Sequence, residues 1–201
     1  MIYEVLTFEP TEAVLADAAA TLMPSIKFFA NTEGFNGLYF GPSDEDQCTA
    51  FMVIAWESHE HFKTMTALPG FPGITGLVGA MKSRPTIVNV PFQESPEAAL
   101  SAGSTEVSTA TLKPGKTIQD LGTAADALLA QLANEPACIK PCALGETIEE
   151  PGKFIVLVGW TSTKDHQEAV QKAGEVYMPL IGGFKEVVDM KLMHATFTKY
   201  A

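Results

Sequence analysis

Hydrophobic and polar positions change period along the chain, and the changes come in a fixed order. Ile2–Phe8 alternates and is rich in β-branched and aromatic residues, which predicts a strand. Glu9-Pro10-Thr11 reads as a turn, with Thr11 placed to cap a helix running towards Phe29 that Pro24 interrupts. Gly34–Gly41 predicts a second strand, Pro42–Asp46 a turn, and Thr49–Trp56 a third strand. Ser58 then caps a short helix carrying His59, His61 and Phe62. A Pro/Gly cluster at 69–73 leads to a helical piece ending near Arg84, and Pro85–Phe92 closes the half as a strand.

The second half repeats this order. It predicts a strand over Glu106–Leu112, a helix over Thr117–Ala133, strands over Ala137–Leu144 and Phe154–Trp160, and a helix over Lys164–Ala173. A turn-rich piece to Gly183 and a strand over Phe184–Phe197 complete it. Sliding the sequence by 104 positions superimposes Thr7 on Thr111, Pro10 on Pro114, Ala20 on Ala124, Gly41 on Gly145, Trp56 on Trp160 and Ser58 on Ser162. Such self-similarity marks a duplicated unit. The expected organisation is a first βαββαβ repeat over 1–92, a polar linker over 93–103 and a second repeat over 104–201.

Two strands do not alternate. Phe51–Trp56 and Phe154–Trp160 are apolar on both faces, so a sheet covered by helices on one side needs a second cover on the other. The other repeat's sheet supplies one, in a barrel or sandwich. The fold class expected is therefore α+β: two ferredoxin-like βαββαβ repeats whose antiparallel sheets pack face to face.

Charge narrows the partners. The net charge is −11, and residues 1–100 carry 4 basic against 12 acidic groups. That balance, with Arg84 the sole arginine, excludes nucleic acid and a guanidinium clamp on a polyanion. No window approaches a membrane span, and the start of the sequence has no signal-peptide pattern, so a cytoplasmic protein with no membrane partner is expected. Cys138 and Cys142 resemble half of a metal site, but no second Cys/His pair at zinc-like spacing accompanies them; ordinary thiols and no metal are expected.

An apolar third strand ending in Trp-x-Ser, followed by a short helix with histidine, occurs twice: Trp56-Glu-Ser58-His-Glu-His61 and Trp160-Thr-Ser162 with His166. In this the chain resembles the dimeric α/β-barrel superfamily, and within it the antibiotic-biosynthesis-monooxygenase branch, here as a fused tandem repeat. The resemblance implies a barrel formed within one chain, as a monomer or homodimer. Relatives include cofactor-free monooxygenases, polyketide cyclases, heme-degrading enzymes and stress-induced proteins without clear catalysis.

Candidate site residues follow from chemistry. His59 and His61 stand two apart on a helix, so they face different sides and cannot chelate one metal together; whichever faces a pocket is the candidate base. His166 on the matching helix and His194 on the last strand are second-half candidates beside Trp160. Nine of the twelve phenylalanines precede residue 93. That surplus either forms an aromatic core or lines an apolar pocket, in which Trp56, Tyr39, Tyr3, Phe28, Phe40 and Phe62 would contact the ligand. The functional expectation is an enzyme without organic cofactor that takes a proton from a small hydrophobic, aromatic or polyketide-like molecule, leading to monooxygenation or cyclisation. The alternatives are a non-catalytic ligand-binding or stress-type barrel, or a heme protein ligated by His166 or His194.

Overall fold

The computed structural model describes residues 1–46 and 48–201. The chain divides into two compact units, Met1–Pro91 with Phe197–Ala201, and Phe92–Thr196. No helix among the described residues is long and apolar enough to cross a membrane.

In the first unit, β1 (Ile2–Phe8) is followed by α1 (Glu12–Ala16) and α2 (Ala18–Phe29). The break expected at Pro24 falls earlier, because Asp17 leaves helical geometry and caps α2 through its side chain on the Ala20 amide. Pro24 itself lies inside α2. The strands β2 (Phe35–Pro42) and β3 (Ala50–Trp56), the helix α3 (His59–Thr66), two short 3₁₀ turns and β4 (Thr86–Val90) complete the unit. Alternate residues of β1, β2 and β3, among them Leu6, Leu38, Phe40, Ile54 and Trp56, meet Leu22 and Phe29 of α2 in one core.

The second unit begins before its expected boundary. Residues 93–103, predicted to be a linker, contain α4 (Glu97–Leu100), whose Ala99 carbonyl accepts a 2.6 Å bond from Thr105 Oγ1. β5 (Ser104–Leu112), α5 (Ile118–Leu132), β6 (Cys138–Glu146), β7 (Lys153–Trp160), α6 (Thr163–Lys172), α7 (Gly174–Val187) and β8 (Val188–Ala195) follow. The turn-rich segment predicted before Gly183, and the start of the predicted last strand, are in fact α7. Its buried residues Tyr177, Phe184 and Val187 recur at helical spacing, and their burial outweighs Pro179 and the Gly182-Gly183 pair. The last strand therefore ends at Ala195, and Thr198–Lys199 forms a short β9 on the edge of the first unit's sheet.

Both sheets are antiparallel and share one order, β4-β1-β3-β2 in the first unit and β8-β5-β7-β6 in the second, β9 extending the former. This is the ferredoxin-like βαββαβ arrangement, twice. The register refines the repeat. Third strands keep step at 104, Trp56 on Trp160, but first strands keep step at 102: Ile2 faces Trp56 as Ser104 faces Trp160, so Glu4 corresponds to Glu106. The longer connection between β5 and α5 absorbs the difference.

Phe29 is 1% exposed and touches the rings of Phe28, Phe35 and Trp56. Phe29→Ala is expected to cost about 3–5 kcal/mol in urea unfolding. Thr117→Ala, which removes the capping box that Thr117 and Asp120 form at the start of α5, is expected to cost about 1 kcal/mol.

Candidate functional site

Register decides which side chains share a face. On β5 the polar residues Ser104, Glu106 and Ser108 alternate, and the last two point to the helix-covered side with Ala110. Glu106 lies opposite Val158 on β7 and His194 on β8, so the strand pairing alone brings a carboxyl and an imidazole side by side. The helix α6, whose first turn Ser162 caps through the Asp165 amide, carries His166 over the same end of the sheet.

These groups are linked. His166 Nδ1 lies 2.7 Å from His194 Nε2, one of the two nitrogens carrying the shared proton. His166 Nε2 lies 3.7 Å from Glu106 Oε2, and Ser108 Oγ donates to Glu106 Oε1 at 2.9 Å. The imidazole of His166 stacks on Trp160 with centroids 4.2 Å apart and planes 15° apart. Burial pushes the Glu106 carboxyl above its ordinary range, against the opposing pull of Ser108, His194 and Trp160. Burial, with the neighbouring His194, pushes His166 down to about 4. The constellation therefore holds neutral imidazole at physiological pH beside a carboxyl poised nearer neutrality than a solvated one.

A cavity of about 410 Å³ opens from this cluster between the sheet and the helices. Leu128 and Leu132 of α5, Val170 of α6, Ile181 and Phe184 of α7 and Val156 of β7 make most of its apolar wall. Glu106, Ser108, His166 and His194 stand at the Trp160 end, while Met190 and Lys185 lie towards the other. The volume is within the ~300–1,000 Å³ typical of small-molecule sites.

The cavity has a stereochemical cause, visible by comparing the units. In the first, Trp56 is hemmed in by Phe29, Phe35 and Phe62, with centroids 5.8, 6.1 and 6.4 Å away. The matching positions in the second are Leu132 at the end of α5, Cys138 opposite Trp160, and His166. Phe40 and Phe8 likewise give way to Leu144 and Ala110. Fewer rings leave space. The aromatic surplus of the first unit thus packs on itself, and it is the ring-poor unit that holds this cavity.

The predicted residues divide accordingly. Trp160, His166 and His194 line the cavity together. His59 stacks on Phe62 at 5.7 Å, and His61 bonds Ser58 Oγ at 3.0 Å while its ring rests on Gly34, where a Cβ would come within 2.2 Å of His61 Cγ. Trp56, Phe28, Phe40 and Phe62 belong to the first unit's core, Trp56 Nε1 donating to Glu4 Oε2 at 3.1 Å. Tyr3 and Tyr39 are buried on strand positions that alternate with those of that core, and Lys199 lies over the Tyr39 ring. The histidines and aromatics of the first half are therefore not brought to the second unit's cavity. Glu106 and Ser108 were not foreseen. The available signal was a polar alternation, Ser104-x-Glu106-x-Ser108, on a strand face that helices cover. Among the described residues no group of three or more His, Cys, Asp or Glu is disposed to hold a metal ion.

The lowered His166 contributes to the loss of stability in acid. Below pH 6.5 the unfolded chain binds a proton at this imidazole that the folded one refuses until about pH 4, so stability falls over that window as pH falls. Glu106 acts oppositely, its contribution being complete below its ordinary pKa and lost as pH rises through the raised one. His166→Phe, which installs the first unit's residue, is expected to flatten the loss between pH 6.5 and 4 by up to about 3 kcal/mol. Urea midpoints of both proteins at pH 7 and pH 4.5 check this; an unchanged gap between them would refute it.

No protein-family model matches the sequence, and no curated protein matches it either. Solved structures do. An anthrone oxidase-like protein aligns over 100% of this chain and 93% of its own at 16% identity, with a TM-score of 0.71. A candidate monooxygenase from Fusobacterium nucleatum aligns over 98% and 93% at 12% identity, with a TM-score of 0.69. A chlorite dismutase from Candidatus Nitrospira defluvii aligns over 98% and 91% at 10% identity, with a TM-score of 0.57. At these identities the likeness is one of fold, and it extends over both units. The chain is a tandem of two ferredoxin-like βαββαβ units, and in this fold it is similar along its whole length to these solved structures.

Proposed function

We propose that the second unit is the working half of a cofactor-independent oxygenase acting on a small, apolar, carbonyl-activated aromatic molecule. The observation that carries this reading is the joining of Glu106, His166 and His194 into one largely buried chain at the end of an otherwise apolar cavity. Such a site removes a proton from carbon where water cannot compete. Glu106, as carboxylate, takes the proton from a CH₂ group acidified by an adjoining carbonyl, and its raised pKa makes it a stronger base than a solvated carboxylate. His166 and His194 then carry the proton away from the carboxyl. Dioxygen is the oxidant: it accepts the electrons of the carbanion and bonds to that carbon, and loss of water from the resulting hydroperoxide leaves a new carbonyl. One CH₂ and one O₂ become one C=O and one H₂O.

The fold is compatible with this chemistry, since an anthrone oxidase-like protein shares it along the whole chain. Cyclisation begins with the same proton transfer, and a substrate that consumes no oxygen would assign the site to that reaction. Heme, borne in name by a heme-binding protein of Thermus thermophilus with a TM-score of 0.54 at 6% identity, does not fit this arrangement. Both nitrogens of His166 and the Nε2 of His194 are turned towards protein groups, so none of these three is presented to iron.

The test is oxygen uptake with 1,8-dihydroxyanthrone as probe. The expected result is one O₂ consumed per anthraquinone formed, with a rate that climbs as pH rises through the elevated Glu106 pKa. Glu106→Gln is expected to lower the rate about 10²-fold or more, and His59→Ala to leave it unchanged. Equal rates for wild type and Glu106→Gln, or a heme-like visible spectrum in the purified protein, would overturn the reading.

A further inference from the structure

β6 leaves its regular register opposite β7 between Ile139 and Ala143. Cys138 lies just before this irregular stretch and Cys142 within it. Cys138 is buried and Cys142 partly so, both are free thiols, and their sulfurs lie 3.9 Å apart. A disulfide needs about 2.05 Å, so the sulfurs must close by roughly 1.9 Å, within the swing of a side chain about χ1. Nothing in the proposed reaction uses either sulfur.

Two further features set this pair apart from ordinary buried thiols. Cys142 lines the cavity, so a small polar oxidant admitted there meets its sulfur. Cys138 lies opposite Trp160 in the β6–β7 pairing and packs in one cluster with Trp160 and Tyr177. A change at the pair is thus felt by the ring on which His166 stacks. The sulfurs also divide their proton unequally. The hydrogen bond with Cys142 lowers Cys138 from its ordinary value, while that same bond and burial raise Cys142. Cys138 is therefore the sulfur that loses its proton more readily, and the deprotonated sulfur is the one that attacks an oxidant.

We propose that Cys138 and Cys142 are a reversible disulfide site, oxidised by a peroxide that enters through the cavity, and that its closure shifts the surroundings of Trp160. One thiol attacks the peroxide, takes one oxygen as sulfenic acid and releases water. The second thiol displaces the hydroxyl as water, and the sulfurs join. Two thiols lose two electrons and two protons, and hydrogen peroxide becomes two waters. The site stands whether or not the cavity carries out the oxygenation proposed above, because its formation is read by mass alone.

The experiment treats the full chain with hydrogen peroxide and records intact mass, peptide map and tryptophan fluorescence before and after dithiothreitol. The expected product has lost two hydrogens, carries a Cys138–Cys142 cross-link and returns to the starting mass on reduction. Cys138→Ser and Cys142→Ser each abolish the cross-link, and Cys48→Ser retains it. The fluorescence intensity drops on oxidation, recovers on reduction and does not respond in Cys142→Ser. Oxidation that adds oxygen to either sulfur without cross-linking, or that joins two copies through Cys48, would overturn the site. A cross-link that leaves the fluorescence unchanged would overturn its coupling to Trp160.

Discussion

A tryptophan at the end of the third strand, buried to within 1% in both units, demands cover on its helix-facing side, and the two units meet that demand differently. An indole ring is too large to leave against water at little cost, and close packing leaves few voids around it. The first unit surrounds Trp56 with three phenylalanines and satisfies its N–H on Glu4. The second lays a single imidazole flat on Trp160 and places leucine and cysteine where the other rings would be. Most of what distinguishes the halves follows from that exchange, since the displaced rings account for both the cavity and the place of His166 at its wall.

The same exchange explains why a carboxylate can be tolerated twice at one strand position. Glu4 is 3% exposed but bonded to an indole N–H. Beside Trp160, Glu106 also has a serine hydroxyl and two imidazoles, groups that can donate or accept a proton as the carboxyl changes state. A buried carboxyl held by an indole N–H is a structural element. A buried carboxyl in a chain of titratable partners, beside apolar space, is one that can exchange protons with a ligand. On β4, Asn89 faces Glu4 where His194 faces Glu106, so the two versions differ at three partners, Leu6/Ser108, Phe62/His166 and Asn89/His194.

Helix α7 illustrates how tertiary burial overrules local signals. Pro179 and the glycine pair at 182–183 read as a loop, yet Tyr177, Phe184 and Val187 fall on one side of a helix and are buried. The energy of burying two aromatic rings and a valine exceeds what proline and two glycines cost together. With α7 in place the cavity gains the wall that Ile181 and Phe184 provide. Had that segment been irregular, its backbone amides would need other partners beneath an apolar pocket.

Apart from α4, α7 and β9, the order of strands and helices was legible in the sequence, as were the duplication, the caps at Ser58 and Ser162 and the likeness to α/β barrels. They rest on periodicity, turn chemistry and short-range capping, which are local properties of a chain. Trp160, His166 and His194 were also recognisable as candidates, because a histidine in the matching helix and another on an apolar strand stand out by type alone. What the sequence left undetermined was which half holds the space. Counting phenylalanines points to the first half, but rings line a pocket only when they fail to fill it, and that depends on which three-dimensional positions they occupy. Glu106 was hidden for a related reason: its meaning lies in facing His194 across a strand pair 88 residues apart in sequence, a register offset by two from the apparent repeat. Only the folded sheet makes that pairing, because register is fixed by the burial of whole faces rather than by any residue on its own.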